Sequence, residues 1–226
     1  MNFIAPDDPS VQFAAKEVCR SMSNPTDKDF GRVKKLVRFL TGVAEVVWEY
    51  EWQQECETGV MTIHVDSDWA GCGRTRRSTS GGVITCGRHV LRTWSSTQPV
   101  VALSSAEAEL YAMVEGTTRG LGLQTMLKEM GVKTSLVLAT DSSGAKSHSS
   151  TRGLGRMRHI EVKNLFLQDL VQKRAVVLRK VSGVNNPADV LTKYHSRETL
   201  TKLLGRVGVR VVPEEAAEEG HRGSVA

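Results

Sequence analysis

The chain has 226 residues, 40% of them hydrophobic and 24% charged, and a net charge of +5. That is the composition of a globular protein with room for one sizeable core, and it excludes a disordered tail protein, a collagen-like repeat and a coiled coil. No apolar run approaches the roughly 18 residues of a membrane span, and the start, Met1 to Asp8, has neither the basic region nor the apolar stretch of a secretion signal. The expected setting is intracellular, in cytoplasm or nucleus, with no membrane partner.

The charge is unevenly placed. From Pro213 onward Glu214, Glu215, Glu218 and Glu219 face Arg222 alone, which leaves +8 on residues 1–212. A basic body of this kind suits a polyanionic partner. Cys19, Cys56, Cys72 and Cys86 form no C-x-x-C pair and have no histidine at zinc-finger spacing, so they read as reduced structural thiols.

In chain order, Val11, Ala14, Ala15, Val18 and Met22 recur at helical spacing until Ser23-Asn24-Pro25 breaks the pattern. A second helix is predicted from Asp27 to Leu40, with Phe30, Val33, Leu36, Val37 and Leu40 on one stripe and Gly42 as its stop. Val43–Trp52 reads as a strand, and the polar segment Gln53–Gly59 as a boundary. From Met61 the texture changes: Ile63 and Val65 alternate with His64, Asp66 and Asp68, so the acids share one face of a strand. Ser78–Cys86 and His89–Ser95 read as a hairpin.

Ser104-Ser105-Ala106-Glu107 has the form of a capping box and opens a helix carrying Leu110, Met113, Val114 and Thr117, which Gly120 and Gly122 are expected to interrupt. Leu136–Ala139 is a short apolar run that suits a strand covered on both faces. A Ser/Gly/Arg-rich stretch over 147–158, a helix from Ile160 to Gln172 and a strand over Ala175–Val181 follow. Asn186-Pro187-Ala188-Asp189 looks like an N-cap with Pro at N1, starting a closing helix. Hairpin strands followed by β-α units imply a mixed sheet flanked by helices.

Two apolar strands end in acids, at Asp66 and Asp141, and ligand sites in such sheets gather at strand ends. On the predicted helix, Glu107 and Glu109 fall on opposite flanks of the apolar stripe, so one at most can enter a shared site. Glu107 has a role at N3 of the capping box, which leaves Glu109 for chemistry. Asp189 reads equally as a charge favourable to a helix N-terminus or as a fourth acid of the site. Carboxylates drawn together from several elements need a cation, and hard divalent ions are the natural one. A pair of such ions roughly 3.5–4 Å apart is an arrangement that cleaves phosphodiesters.

Asp66-Ser67-Asp68-Trp69-Ala70-Gly71, Arg77-Ser78-Thr79-Ser80-Gly81, Trp94-Ser95-Ser96, Val101 to Glu109, Arg158-His159-Ile160 and Ala188 to Lys193 together resemble the ribonuclease H domain of copia-type (Pseudoviridae) retrotransposon Pol polyproteins. The blocks stand in that family's order and spacing from about residue 60 to 195. Phe13-Ala14-Ala15, Met22 to Pro25 and Val37 to Gly42 are similar to the segment after the polymerase palm of the same polyproteins. The resemblance implies a mixed α/β, ribonuclease H-like fold: a five-stranded mixed sheet, its first three strands antiparallel, flanked by helices and preceded by a helical lead-in. It divides the chain into a lead-in (1–58) similar to the polymerase thumb or connection region and a ribonuclease H-like domain (59–207), and composition adds an acidic tail (208–226) expected to be disordered.

The resemblance makes Asp66, Glu109, Asp141 and Asp189 the catalytic, metal-binding acids, with two Mg²⁺ as cofactor, Mn²⁺ as an alternative, and no small-molecule cofactor. The implied reaction is hydrolysis of the RNA strand of an RNA–DNA hybrid, and the implied partners are that hybrid and the reverse transcriptase domain of the same polyprotein. Ser104 and Ser105 match positions that touch the nucleic-acid backbone, and Arg74, Arg76, Arg77, Arg156 and Arg158 offer phosphate contacts. His159 reads as a backbone or phosphate contact, or as a helix-start residue packed locally.

The sequence departs from the family in several places. A polymerase Tyr-x-Asp-Asp signature is absent, so the chain is not expected to polymerise. Asp141-Ser142 stands where the family has Asp-Asn, and Lys193-Tyr194 where it has Lys-Pro. The loop Val181–Asn186 lacks the histidine that cellular ribonucleases H place there for product release, so turnover is expected to be modest. Besides the nuclease, two readings stand: a catalytically silent hybrid-binding or structural fragment, and a related nuclease acting on DNA.

Overall fold

The lead-in forms two helices, α1 (Gln12–Cys19) and α2 (Asp27–Thr41), and a strand, β1 (Val43–Trp48), in the computed structural model, which describes residues 3–54, 59–150 and 163–214. Asp29 at N3 of α2 accepts the Thr26 N–H at 3.0 Å, which fixes the helix start. The predicted α2 stripe is only partly used. Leu36 is buried with Val11 and Ala15, but Phe30 and Val37 face solvent, because α1 covers a single narrow flank of α2.

Next come β2 (Val60–Asp68), β3 (Thr79–Cys86), β4 (His89–Thr97), the long helix α3 (Ser105–Glu129) and β5 (Ser135–Thr140). They are followed by α4 (Ser143–Ser150), α5 (Lys163–Gln172) and β6 (Val176–Lys180). Two 3-10 turns (Gly183–Asn185 and Pro187–Leu191), α6 (Arg197–Gly205) and β7 (Val209–Pro213) complete the described chain. The main sheet has the order β4-β3-β2-β5-β6. Its first three strands are antiparallel, and β5 and β6 join in parallel. This is the five-stranded mixed α/β sheet that the resemblance implies, with β2 at its centre.

Alternation along the strands divides the core into two layers. Met61, Ile63, Val65 and Ile84 pack with Leu110, Met113 and Leu167 beneath α3 and α5. On the other face Val83 and Val90 meet Val190, Leu191, Leu203 and Leu204. Val209 and Val211 join this second layer through a separate two-stranded ribbon in which β7 pairs antiparallel with β1. Residues 209–213, placed in the tail by composition, are therefore a strand. Val209 and Val211 bury on the second layer, and the glutamates that dominate the tail's composition begin only at Glu214. The lead-in is fastened to the sheet by Gln12 Nε2 donating to Thr93 Oγ1 at 2.8 Å and Lys16 Nζ donating to Thr79 Oγ1 at 2.6 Å.

Two further expectations change. Helix α3 runs unbroken through Gly120 and Gly122. A Cβ on Gly116 would lie 2.5 Å from Val65 Cγ1 and one on Gly120 2.3 Å from Ile63 Cδ1, so these two glycines let the helix press onto β2 instead of ending it. The cap at Asn186 is present, its side chain accepting the Ala188 N–H, but it opens a 3-10 turn rather than a closing helix. The polar stretch after Asp141 contains a helix, α4, that periodicity does not reveal.

Gly116→Val should destabilise the fold by about 1–3 kcal/mol through overpacking against β2. Gly122→Ala, at a helical position with open space around it, should stabilise by about 0.5–1 kcal/mol. Thermal unfolding of the two variants measures both, and equal effects would contradict the close helix–strand contact.

Candidate metal centre

The site forms where β2, β5 and the first turns of α3 end together. In the parallel β2–β5 register His64 pairs with Ala139, and continuing it two residues brings Asp66 level with Asp141. Ser104 caps α3 by accepting the Glu107 N–H at 3.2 Å, and Glu107 reaches back to accept the Leu103 N–H at 2.8 Å. Glu107 is thus occupied as a cap, as its spacing predicts, and Glu109 is turned toward the strands. One carboxylate oxygen from each of Asp66, Glu109 and Asp141 lies within 4.8 Å of the other two.

The surrounding groups fix two of these acids. Glu109 Oε1 accepts from Ser67 N at 3.0 Å and from Ser67 Oγ at 2.9 Å, while its Oε2 is buried without a hydrogen-bond partner. Asp66 Oδ2 accepts from Thr192 Oγ1 at 2.6 Å. Asn186 Nδ2 donates to the Val65 carbonyl at 2.8 Å and fastens the 187–191 turn beside Asp66. Gly81, paired with Asp66 across β3, leaves the space for this turn, since a Cβ there would come 2.7 Å from Thr192 Cγ2. Ser67 and Thr192 are supports that the sequence reading did not single out. Thr192 stands one turn after Asp189, and that spacing was the available signal.

Burial and mutual repulsion disturb the acids. Burial, joined by the charges of Asp189 and Asp141 and opposed by the Thr192 hydroxyl, pushes the Asp66 carboxyl up to about 6. Burial, with Asp66 and Asp141 adding to it against the Ser67 contacts, pushes Glu109 up to about 8. An all-oxygen group with a buried, unpartnered carboxylate oxygen fits a hard divalent cation. Asp66, Glu109 and Asp141 could hold a metal ion.

Asp189 is not part of this group. It stands near enough for its charge to act on Asp66, but its Oδ1 lies 2.5 Å from Lys193 Nζ and its Oδ2 3.3 Å from His195 Nε2. Of the four acids named from the sequence, three converge and the fourth is paired with basic side chains. The expected nucleic-acid contacts divide similarly. Ser104 is at the α3 N-cap and Ser105 is exposed beside it, one turn from Glu109. Trp69 Nε1 donates to the Ala102 carbonyl at 3.0 Å and ties the β2–β3 loop to this helix start. Arg74, Arg76 and Arg77 are exposed on that loop. Arg156, Arg158 and His159 lie outside the described residues.

No family model matches the chain. It is 26% identical over 216 residues to the retrovirus-related Pol polyprotein from transposon RE1 of Arabidopsis thaliana, covering 94% of this chain and 14% of that one. Its homologues are retrovirus-related Pol polyproteins. With the counterpart from transposon TNT 1-94 of Nicotiana tabacum it shares 28% over 202 residues, covering 87% of this chain and 15% of that polyprotein. The chain thus spans about one-seventh of the length of these Pol polyproteins. Among solved structures, LC11-RNase H1 isolated from compost aligns with a TM-score of 0.43 at 16% identity, covering 65% of this chain and 99% of that one. Among the described residues no helix is long and apolar enough to cross a membrane.

The raised acids make stability depend on pH in a definite direction. The unfolded chain releases these protons first, so their stabilising contribution is complete below about pH 4 and is lost as pH rises through about 6 for Asp66 and about 8 for Glu109. In metal-stripped protein the melting temperature should therefore fall across this window. Saturating Mg²⁺ should flatten the fall, and Glu109→Gln should remove its upper half. A melting temperature that rises over the same window would contradict the arrangement.

Proposed function

We propose that the chain is the nuclease of a retroelement Pol polyprotein, hydrolysing the RNA strand of RNA–DNA hybrids with two Mg²⁺, Mn²⁺ being an acceptable substitute. The observation that carries this reading is the convergence of Asp66, Glu109 and Asp141 on one point, with a buried carboxylate oxygen left unpartnered, in a chain homologous to Pol polyproteins. Such cations, when bound, activate water and stabilise the leaving oxygen of a phosphodiester. Asp66, Glu109 and Asp141 would hold them, with Asp189 as the fourth ligand once it leaves Lys193.

The chain's own groups supply orientation. Ser67 and Thr192 keep the Glu109 and Asp66 carboxylates aimed at their common point. Ser104 and Ser105 at the α3 start, Arg74 and Arg77 on the neighbouring loop, and Arg158 and His159 would hold the backbone of the hybrid. A preference for RNA would come from the ribose 2′-OH and the groove shape of the hybrid. In this reading the lead-in (1–58) is the connection to the reverse transcriptase domain, residues 59–207 are the nuclease, and the protein works inside the cell.

The pairing of Asp189 with Lys193 and His195 favours a second reading, in which the chain holds a hybrid without cutting it. A labelled RNA–DNA hybrid incubated with Mg²⁺ separates the two. The nuclease cuts the RNA strand only, and Asp66→Asn lowers the rate by about a hundredfold or more. Retention of the hybrid without cleavage supports the second reading, and scission of DNA would overturn both.

A further inference from the structure

Asp189 is held by two bases of different character. His195 is almost wholly buried, and its Nε2 lies 3.0 Å from the backbone carbonyl of Asp189 as well as 3.3 Å from Oδ2. It is part of the packed turn and cannot leave without unpacking. Lys193 stands one helical turn after Asp189, and its ammonium is 2.5 Å from Oδ1 with the side chain 52% exposed. A half-exposed lysine on a flexible four-carbon stem can swing into solvent, and an ion pair of this kind is weak. The same ammonium also feels the charges of Asp66 and Asp68. The Lys180 ammonium also lies at the edge of the acidic group, 2.8 Å from the backbone carbonyl of Asp141, but the Lys193 charge is the one set on the predicted ligand that has not joined it.

We propose that Lys193 is a tethered counter-cation for Asp189, holding that carboxylate until a divalent cation displaces it, so that Asp189 is the last acid to enter the metal centre. The proposal rests on the reading of the acidic group as a divalent-cation centre. Asp66, Glu109 and Asp141 are already convergent and take a first ion without rearrangement. A second ion that uses Asp189 must compete with the ammonium and with its repulsion at short range. His195 stays behind and keeps the Asp189 carboxylate oriented after Lys193 has left. Lys193 is a positioning residue in this scheme: it sets when the fourth carboxylate becomes accessible and touches no reacting atom.

Calorimetric titration of Mn²⁺ into the metal-stripped full chain tests this without any cleavage assay. The wild-type chain should bind in a tighter and a weaker phase. Lys193→Met should tighten the weaker phase by about fivefold, the worth of a half-exposed ion pair, and leave the tighter phase unchanged. Lys193→Arg, which keeps the charge, should retain the wild-type weaker phase. In an Asp189→Asn background Lys193→Met should have no effect. Far-ultraviolet circular dichroism and a metal-free melt establish that each variant folds. An unchanged or weakened second phase in folded Lys193→Met overturns the proposal while leaving the metal centre intact. Absence of binding in the wild-type chain overturns the metal centre, and the proposal with it.

Discussion

Three carboxylates brought within 4.8 Å of one another at the end of a buried strand impose a constraint that the remaining architecture serves. Like charges in a poorly hydrated place either take up protons or collect a cation. The upward shifts of Asp66 and Glu109 are the first response, and the second is the use to which the site can be put. Nothing local to any one of these residues creates the pressure. It comes from the central place of β2 between β3 and β5, and from the close seating of α3 on β2 that Gly116 and Gly120 permit. Loosening that contact would move Glu109 away from the strands and relax both the repulsion and the cation site.

The supports around the acids follow from the same geometry. A carboxylate held by two donors from Ser67 on one oxygen presents its other oxygen in a fixed direction. Asp66 is fixed from the opposite side by Thr192, which depends on the Asn186 cap and on the bare surface of Gly81. A short 3-10 turn thus does the work that a closing helix was expected to do. Because the turn is short, Asp189 and Lys193 fall within reach of each other, and the fourth acid is neutralised locally instead of joining the group. Acquisition of Asp189 by the centre is then a separate event from formation of the centre itself.

Much of this was legible in the sequence because it rests on local rules. Alternation along 60–68 gives the face of Asp66, capping spacing separates Glu107 from Glu109, and the Asn-Pro pair marks the turn before Asp189. The failures have a common physical source, which is context beyond the local segment. Gly120 reads as a helix breaker until Ile63 is seen filling the space where its Cβ would be. Val209–Pro213 reads as part of an acidic tail until β1 offers it a partner strand. The helix after Asp141 is made of serines, a glycine, a lysine and a histidine with Ala145 as its only apolar residue, so no amphipathic stripe announces it. The pairing of Asp189 was in the sequence as an acid and a lysine four apart, a spacing that forms helical ion pairs. Assigning the acid to metal binding obscured it.

Diffraction from crystals soaked in Mn²⁺, recorded to exploit the anomalous signal of that ion, tests the central claim most directly. The account predicts an anomalous peak bounded by oxygens of Asp66, Glu109 and Asp141, with the formerly unpartnered Glu109 Oε2 among its ligands. A well-ordered site with no peak there at saturating Mn²⁺, or a peak held by other residues, would contradict it.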